Sequence, residues 1–304
     1  MKLTNSTRRG FLAAAANGLI GGRLVGQESG VVPSAPVNPP PAQDLVYQCP
    51  MDPDIRSSVP GVCPRCGMTL VAGIPEPVEF PMDMKITPRA VKPGQKVQLE
   101  FSVLDPENNK LIQHFQIVHE KLFHLFVISQ DLQFFLHEHP TFGADGKFRF
   151  DITFPKPGLY RLLGDFYPDG ATPQLSAKTI IVAGGSQSTP TLGRDYSPKD
   201  AGNMRVSLET DPVQPNPQSK TLMFFKLDPA DGLEKYIGAW GHMLAASDDL
   251  IDQIHTHPVI ADGGPQMQFN LYFPRAQTYR VWVQFQRRGV VNTAYFDVPV
   301  QELR

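Results

Sequence analysis

One pattern occurs twice in this chain, and it limits the possible folds more than any other feature. FHLFVISQDLQFFLHEHP (123–140) and GHMLAASDDLIDQIHTHP (241–258) align without a gap, both reading H-x4-S-x-D-L-x4-H-x-H-P. His124, His137 and His139 fall on His242, His255 and His257. The match extends downstream with one extra residue in the second copy. FRFDITFPKPGLYRLLGDF sets Phe154-Pro155 and Tyr160-Arg161 over Phe273-Pro274 and Tyr279-Arg280 of MQFNLYFPRAQTYRVWVQF. Upstream, FSVLDPENN pairs with FFKLDPADG. The chain is therefore an internal duplication, with copies at about 78–183 and 203–300, and whatever one copy folds into the other must share.

Each copy reads as short strands. VQLEFSVLD, FHLFVIS, KFRFDITF, YRLLGDFY and AKTIIVA are rich in β-branched and aromatic residues and are separated by turn formers. MRVSLET, TLMFFKLD, MQFNLYF, YRVWVQF and AYFDVPV repeat the plan. Thirty prolines argue against long helices. The expectation is an all-β chain containing two tandem Greek-key β-sandwiches. The run VKPGQKVQLEFSVLDP resembles a strand of immunoglobulin-like and cupredoxin-like domains, a likeness that implies a fold and no function.

On a strand, residues i and i+2 share a face, so His137 and His139 point the same way about 7 Å apart. If the hairpin between the strands closes with two or four residues, His124 joins them; a three-residue loop turns it away. In the favourable parity His124, His137 and His139 form one candidate metal centre and His242, His255 and His257 a second. Three neutral imidazoles suit copper or zinc and leave a position open. The competing reading keeps His124 and His242 as core histidines, with each H-x-H at a solvated strand end. Six of eight histidines lying in the repeated triads favours metal. His114 and His119 lack counterparts in the second copy, and His119 is a candidate extra ligand for the first triad.

All three cysteines lie in YQCPMDPDIRSSVPGVCPRCGMTLV, residues 47–71. An odd number so closely spaced makes a poor disulfide framework. Cys63-Pro-Arg-Cys66-Gly67 has the form of a knuckle that presents two thiolates from one turn, with Cys49 supplying a third. This run resembles the small heavy-metal-binding domain of copper- and silver-efflux adaptors and metal-pumping ATPases. That resemblance covers about 25 residues and implies a zinc-ribbon-like metal module at 45–74. Where the family commonly carries a histidine after Cys-Pro-Met, this chain has Asp52. The fourth ligand is then Asp52, Met51, Met68 or water, a carboxylate favouring Zn(II) and a thioether Cu(I) or Ag(I).

STRRGFLAAAANGLIGG resembles a twin-arginine export signal (1–28) with Arg8-Arg9, followed by a Pro-rich linker (29–44). A second linker is expected at 184–202. The signal's apolar run is too short for a transmembrane anchor, so the mature chain is expected to have none and to work in the periplasm or outside the cell. With a net charge of −2 and no basic patch, no nucleic-acid partner is expected. A blue-copper carrier needs a cysteine inside the sandwich, and neither copy has one. Serine hydrolases carry a G-x-S-x-G that this chain lacks.

The function expected is binding of a heavy metal, copper first with zinc or silver as alternatives, for sequestration, delivery or resistance, and not catalysis. A membrane efflux or metal-delivery protein is the expected partner. Two other readings stand beside it: an extracytoplasmic interaction module with a structural zinc staple, and a two-site copper oxidase or monooxygenase.

Overall fold

A computed structural model describes residues 46–52, 55–73 and 78–303. The export signal and the Pro-rich linker lie outside the described residues. The described chain is all-β, with no helix. No helix in it is long and apolar enough to cross a membrane.

The cysteine module holds β1 (Tyr47–Gln48), β2 (Arg56–Ser57) and β3 (Val71–Ala72), ordered β2-β1-β3. The first repeat runs β4 (Met82–Thr87), β5 (Lys96–Val103), β6 (Phe123–Ser129), β7 (Phe135–Glu138), β8 (Thr141–Phe142), β9 (Phe148–Thr153), β10 (Gly158–Phe166) and β11 (Gln174–Val182). Its two sheets are β4-β5-β9-β8 and β11-β10-β6-β7, the strand exchange of a Greek-key sandwich. The second repeat runs β12 (Lys199–Ala201), β13 (Met204–Asp211), β14 (Thr221–Asp228), β15 (Leu233–Glu234), β16 (His242–Ser247), β17 (Gln253–Thr256), β18 (Gln266–Leu271), β19 (Thr278–Arg287) and β20 (Val290–Pro299). Its sheets are β12-β13-β14-β18 and β15-β19-β16-β17, with β20 also on β19.

Alternation along each strand builds the cores. In β6, Phe123, Leu125 and Val127 enter the first sandwich beside Val97, Leu99 and Phe101. In β16, Met243 and Ala245 enter the second beside Phe225 and Phe269. Tyr160 and Tyr279 each donate their hydroxyl to the carbonyl four residues upstream, at Lys156 and Arg275, which pins the start of β10 and β19.

The remaining faces of these strands are not exposed to solvent. Every residue of β6 and β16 is buried, because the β6/β10 sheet of one repeat packs on the β16/β19 sheet of the other. Phe126, Ile128, Leu132 and Leu163 meet Leu244, Ala246, Leu250 and Trp282 there. Phe135 stacks on Trp282 with ring centroids 5.1 Å apart.

The repeated S-x-D-L shapes this contact. Ser129 and Ser247 donate their hydroxyls to Asp131 and Asp249 and accept the amides of Phe134 and Asp252, closing equivalent turns. Leu132 (φ 54°) and Leu250 (φ 57°) adopt left-handed backbone there and place their side chains in the shared core.

The segment 184–202, expected as a linker, also carries structure. Leu192 packs on the shared core, Asp195 bridges to Asp297, and β12 pairs with β13. The chain between the sandwiches is held because it runs along both.

Removing the largest interface side chain tests whether this packing is integral to stability. Trp282→Ala should cost about 3–5 kcal/mol in denaturant unfolding, while Ile181→Ala on the exposed face of β11 should change stability little.

Candidate metal centres

The hairpin loop settles the parity. Ser129 donates its amide to the Phe134 carbonyl, leaving residues 130–133 as the loop, and Phe126 pairs with His137. His124 therefore shares a face with His137 and His139. The second copy repeats the register, with Leu244 opposite His255. Both faces turn inward to the contact between repeats: His124, His137, His242 and His257 are buried, and His139 and His255 half-buried.

In the first centre, His124 Nδ1 lies 3.1 Å from His137 Nε2 and 3.2 Å from His139 Nε2. In the second, His242 Nδ1 lies 3.0 Å from His257 Nε2, and one nitrogen from each of His242, His255 and His257 gathers within 4.8 Å.

The outer nitrogens fix where the protons are. His124 Nε2 donates to the Val118 carbonyl (3.0 Å), an acceptor only, so in the neutral ring Nδ1 carries a lone pair. His137 Nδ1 donates to Gln284 Oε1 (2.7 Å), and the Gln284 amide is oriented by donating to Thr293 (3.0 Å). His137 Nε2 is then bare as well. Two lone pairs thus face each other at 3.1 Å with no proton between them. In the second copy, His242 Nε2 donates to the Tyr236 carbonyl (2.8 Å) and His255 Nδ1 to the Asp165 carboxylate. His255 Nε2 is buried with no partner.

Such nitrogens need a cation, and protonation is a poor candidate. Burial, reinforced by the neighbouring imidazoles, pushes His124 down to about 4 and His137, His242 and His257 well below the ordinary value. A metal ion satisfies all three lone pairs at once, and outer partners that fix tautomers are the usual surroundings of ligating histidines. The chemistry of the donors fits copper or zinc.

Sequence reasoning missed the carbonyl acceptors. Val118 and Tyr236 lie six residues before His124 and His242, in matching two-residue turns, 118–121 and 236–239. His119 (φ 46°) and Ile237 (φ 49°) hold equivalent left-handed positions. That backbone corrects one expectation. His119 is a candidate extra ligand of the first triad by spacing, but the turn sends its ring to the second, with centroids 3.8 Å from His257 and 5.5 Å from His242. Its Nε2 is buried and unpaired, and burial lowers its pKa to about 4.

The cysteine module gathers a third donor set. Cys49 Sγ lies 3.5 Å from Cys66 Sγ, and Asp52 Oδ2 lies 3.3 Å from Cys63 Sγ and 3.8 Å from Cys49 Sγ. Arg65 binds Asp52 Oδ1 at 2.9 Å and so aims the other oxygen at the sulfurs. Gly67 (φ 77°) provides the left-handed turn of the knuckle. The Cys66 thiol and the Asp52 amide donate to Cys49 and bring it down to about 6, while burial lifts Cys63 to about 11. Cys66 is also raised, as donor to Cys49 in a buried setting. Met68 is drawn into an apolar cluster with Val118 and Tyr167, against which Met51 and Cys66 pack.

Residues 79–182 and 199–302 each match the family model described as Domain of unknown function (DUF8832). The chain belongs to this family. Residues 46–72 match the Heavy metal binding domain. No curated protein matches the chain. Among solved structures, the Escherichia coli adhesin FdeC aligns at 13% identity over 77% of this chain and 67% of that one, with a TM-score of 0.26. A 1.5-MDa bacterial ice-binding adhesin aligns at 10% identity over 75% and 67%, with a TM-score of 0.25. The Yersinia pseudotuberculosis adhesin InvE aligns at 11% over 71% and 58%, with a TM-score of 0.24.

Buried neutral histidines make the metal-free protein acid-sensitive. An unfolded chain binds protons near pH 6.5, whereas the folded one resists them to about 4 at His124 and His119. Stability should be full above about pH 6.5 and fall as pH drops toward 4. Urea midpoints measured across that range check this, and His257→Asn should flatten the slope.

Proposed function

We propose that this is an exported metal-handling protein that captures copper at its cysteine module and holds it at the paired histidine centres. The observation that carries the reading is the pair of lone-pair clusters, above all the proton-free 3.1 Å approach of His124 Nδ1 and His137 Nε2. Three sulfurs and one carboxylate form a soft donor set suited to Cu(I), and three imidazoles a borderline one that accepts Cu(I) as well, so the chain offers two kinds of site to the same ion.

Delivery between them is supported by position. A cavity of about 380 Å³ is walled by Ile55, Pro64 and Arg65 of the cysteine module and by Trp240 and His257 of the second repeat, with His119 between. The twin-arginine-like leader supports a site outside the cytoplasm. Binding and transfer, without turnover, is the role that follows.

The Asp52 carboxylate favours a second reading, in which the cysteine module is a zinc staple that docks on the first repeat through Met68. Metal content per chain separates the two. The unchanged protein should hold one ion at each of its three donor clusters when loaded with copper. Replacing Cys49, Cys63 and Cys66 by Ser should remove one, and replacing the six triad histidines by Ala should remove two. A folded histidine variant that keeps its full metal content would leave only the staple.

A further inference from the structure

The two centres are built from equivalent histidine triads on different supports, and His119 stands against the second alone. Asp165 and Gln284 occupy equivalent positions: Asp165 pairs across β10/β6 with His124, and Gln284 pairs across β19/β16 with His242. Each is buried, at 8% and 7% exposure, and each reaches over to the other repeat's triad. Gln284 accepts from His137 of the first centre, and Asp165 accepts from His255 of the second. The duplication therefore kept the geometry of the support and changed its charge.

That change matters in a dry interface. A carboxylate on the outer nitrogen makes the imidazole more basic and adds a negative charge close to the ion, while an amide orients the ring and adds none. The surroundings deepen the contrast. The Lys121 ammonium acts on His124 and His139 of the first centre, disfavouring further positive charge there. Asp165 also reaches His124 through space, but its direct hydrogen bond goes to the second centre alone.

We propose that the two centres are unequal for this reason: His242, His255 and His257, backed by Asp165, form the tighter site for a divalent ion, and His124, His137 and His139, backed by Gln284, form the weaker one. The second site fills first and retains its ion, and the first exchanges. This rests on the metal-binding reading above and adds the residue pair that sets the order.

Zn(II) titration of the full, unchanged chain, followed through the imidazole ¹⁵N resonances, reads each centre separately. The resonances of His255 and His257 should shift before those of His137 and His139. Asp165→Asn should weaken the second centre by about 10–100-fold and close the gap, because loss of an outer partner typically costs that much. Gln284→Glu should tighten the first centre, so the inference stays testable if the Asn variant folds poorly. Simultaneous filling that neither substitution alters overturns the inequality and leaves metal binding intact. Histidine resonances that never respond overturn the histidine centres themselves, and the inequality with them.

Discussion

The structure turns on a dry contact between two copies of the same sheet. A sandwich can be built with its outer faces in water, but here β6 and β16 are buried on both sides. Their second faces carry Phe126 and Leu244 alongside the histidines, packed with Trp282 of β19. Burying imidazoles beside these residues is unfavourable unless every nitrogen has a partner. The outer nitrogens of His124 and His242 find carbonyls within their own repeat, and those of His137 and His255 find side chains of the other. Neither centre is completely supported by one repeat. The contact is reciprocal, as in a two-fold dimer, because duplicated surfaces that bind each other do so through equivalent residues. Phe126 touches both His137 and His255, with centroids 4.2 and 4.7 Å away, so the two centres share an aromatic wall.

Most of the fold was legible because it rests on local periodicity. Strand content, the duplication and the cysteine knuckle all follow from short-range patterns. The convergence of His124 with His137 and His139 was legible up to one unknown, the hairpin loop length, and residues 130–133 supply the even number required. What could not be read depends on distant contacts or on backbone sign. S-x-D-L was visible as a repeat, but its task of clamping a turn and placing Leu132 and Leu250 in the shared core needs the partner sheet to be seen. His119 was misplaced because spacing from His124 says nothing about a left-handed turn that points the ring elsewhere. Asp165 aligns with Gln284, but nothing local marks either residue as a support for the other repeat's histidines.

The cysteine module bears on the first centre through one residue. Val118 receives Met68 on its side chain and gives its carbonyl to His124. A shift of the knuckle that moved Met68 would press on the turn that fixes the His124 tautomer. Sulfur chemistry and nitrogen chemistry are therefore joined by packing rather than by a shared ligand.

Duplication followed by change in the supporting residues is an economical way to diversify a site. Altering a ligand abolishes binding, whereas altering what the ligand leans on adjusts affinity and leaves geometry alone. The Arg161/Arg280 pair shows the same divergence. Arg280 is paired with buried Asp297 and also donates to the Leu132 carbonyl across the interface, while Arg161 reaches only Thr179 and leaves its Nε unpaired. Both asymmetries lie on the faces where the repeats meet: the first repeat contributes the Asp165 carboxylate to His255, and the second keeps the Arg280–Asp297 ion pair. Charge has been placed unevenly in a contact whose shape stayed symmetric, so equivalent histidine triads sit in unequal fields.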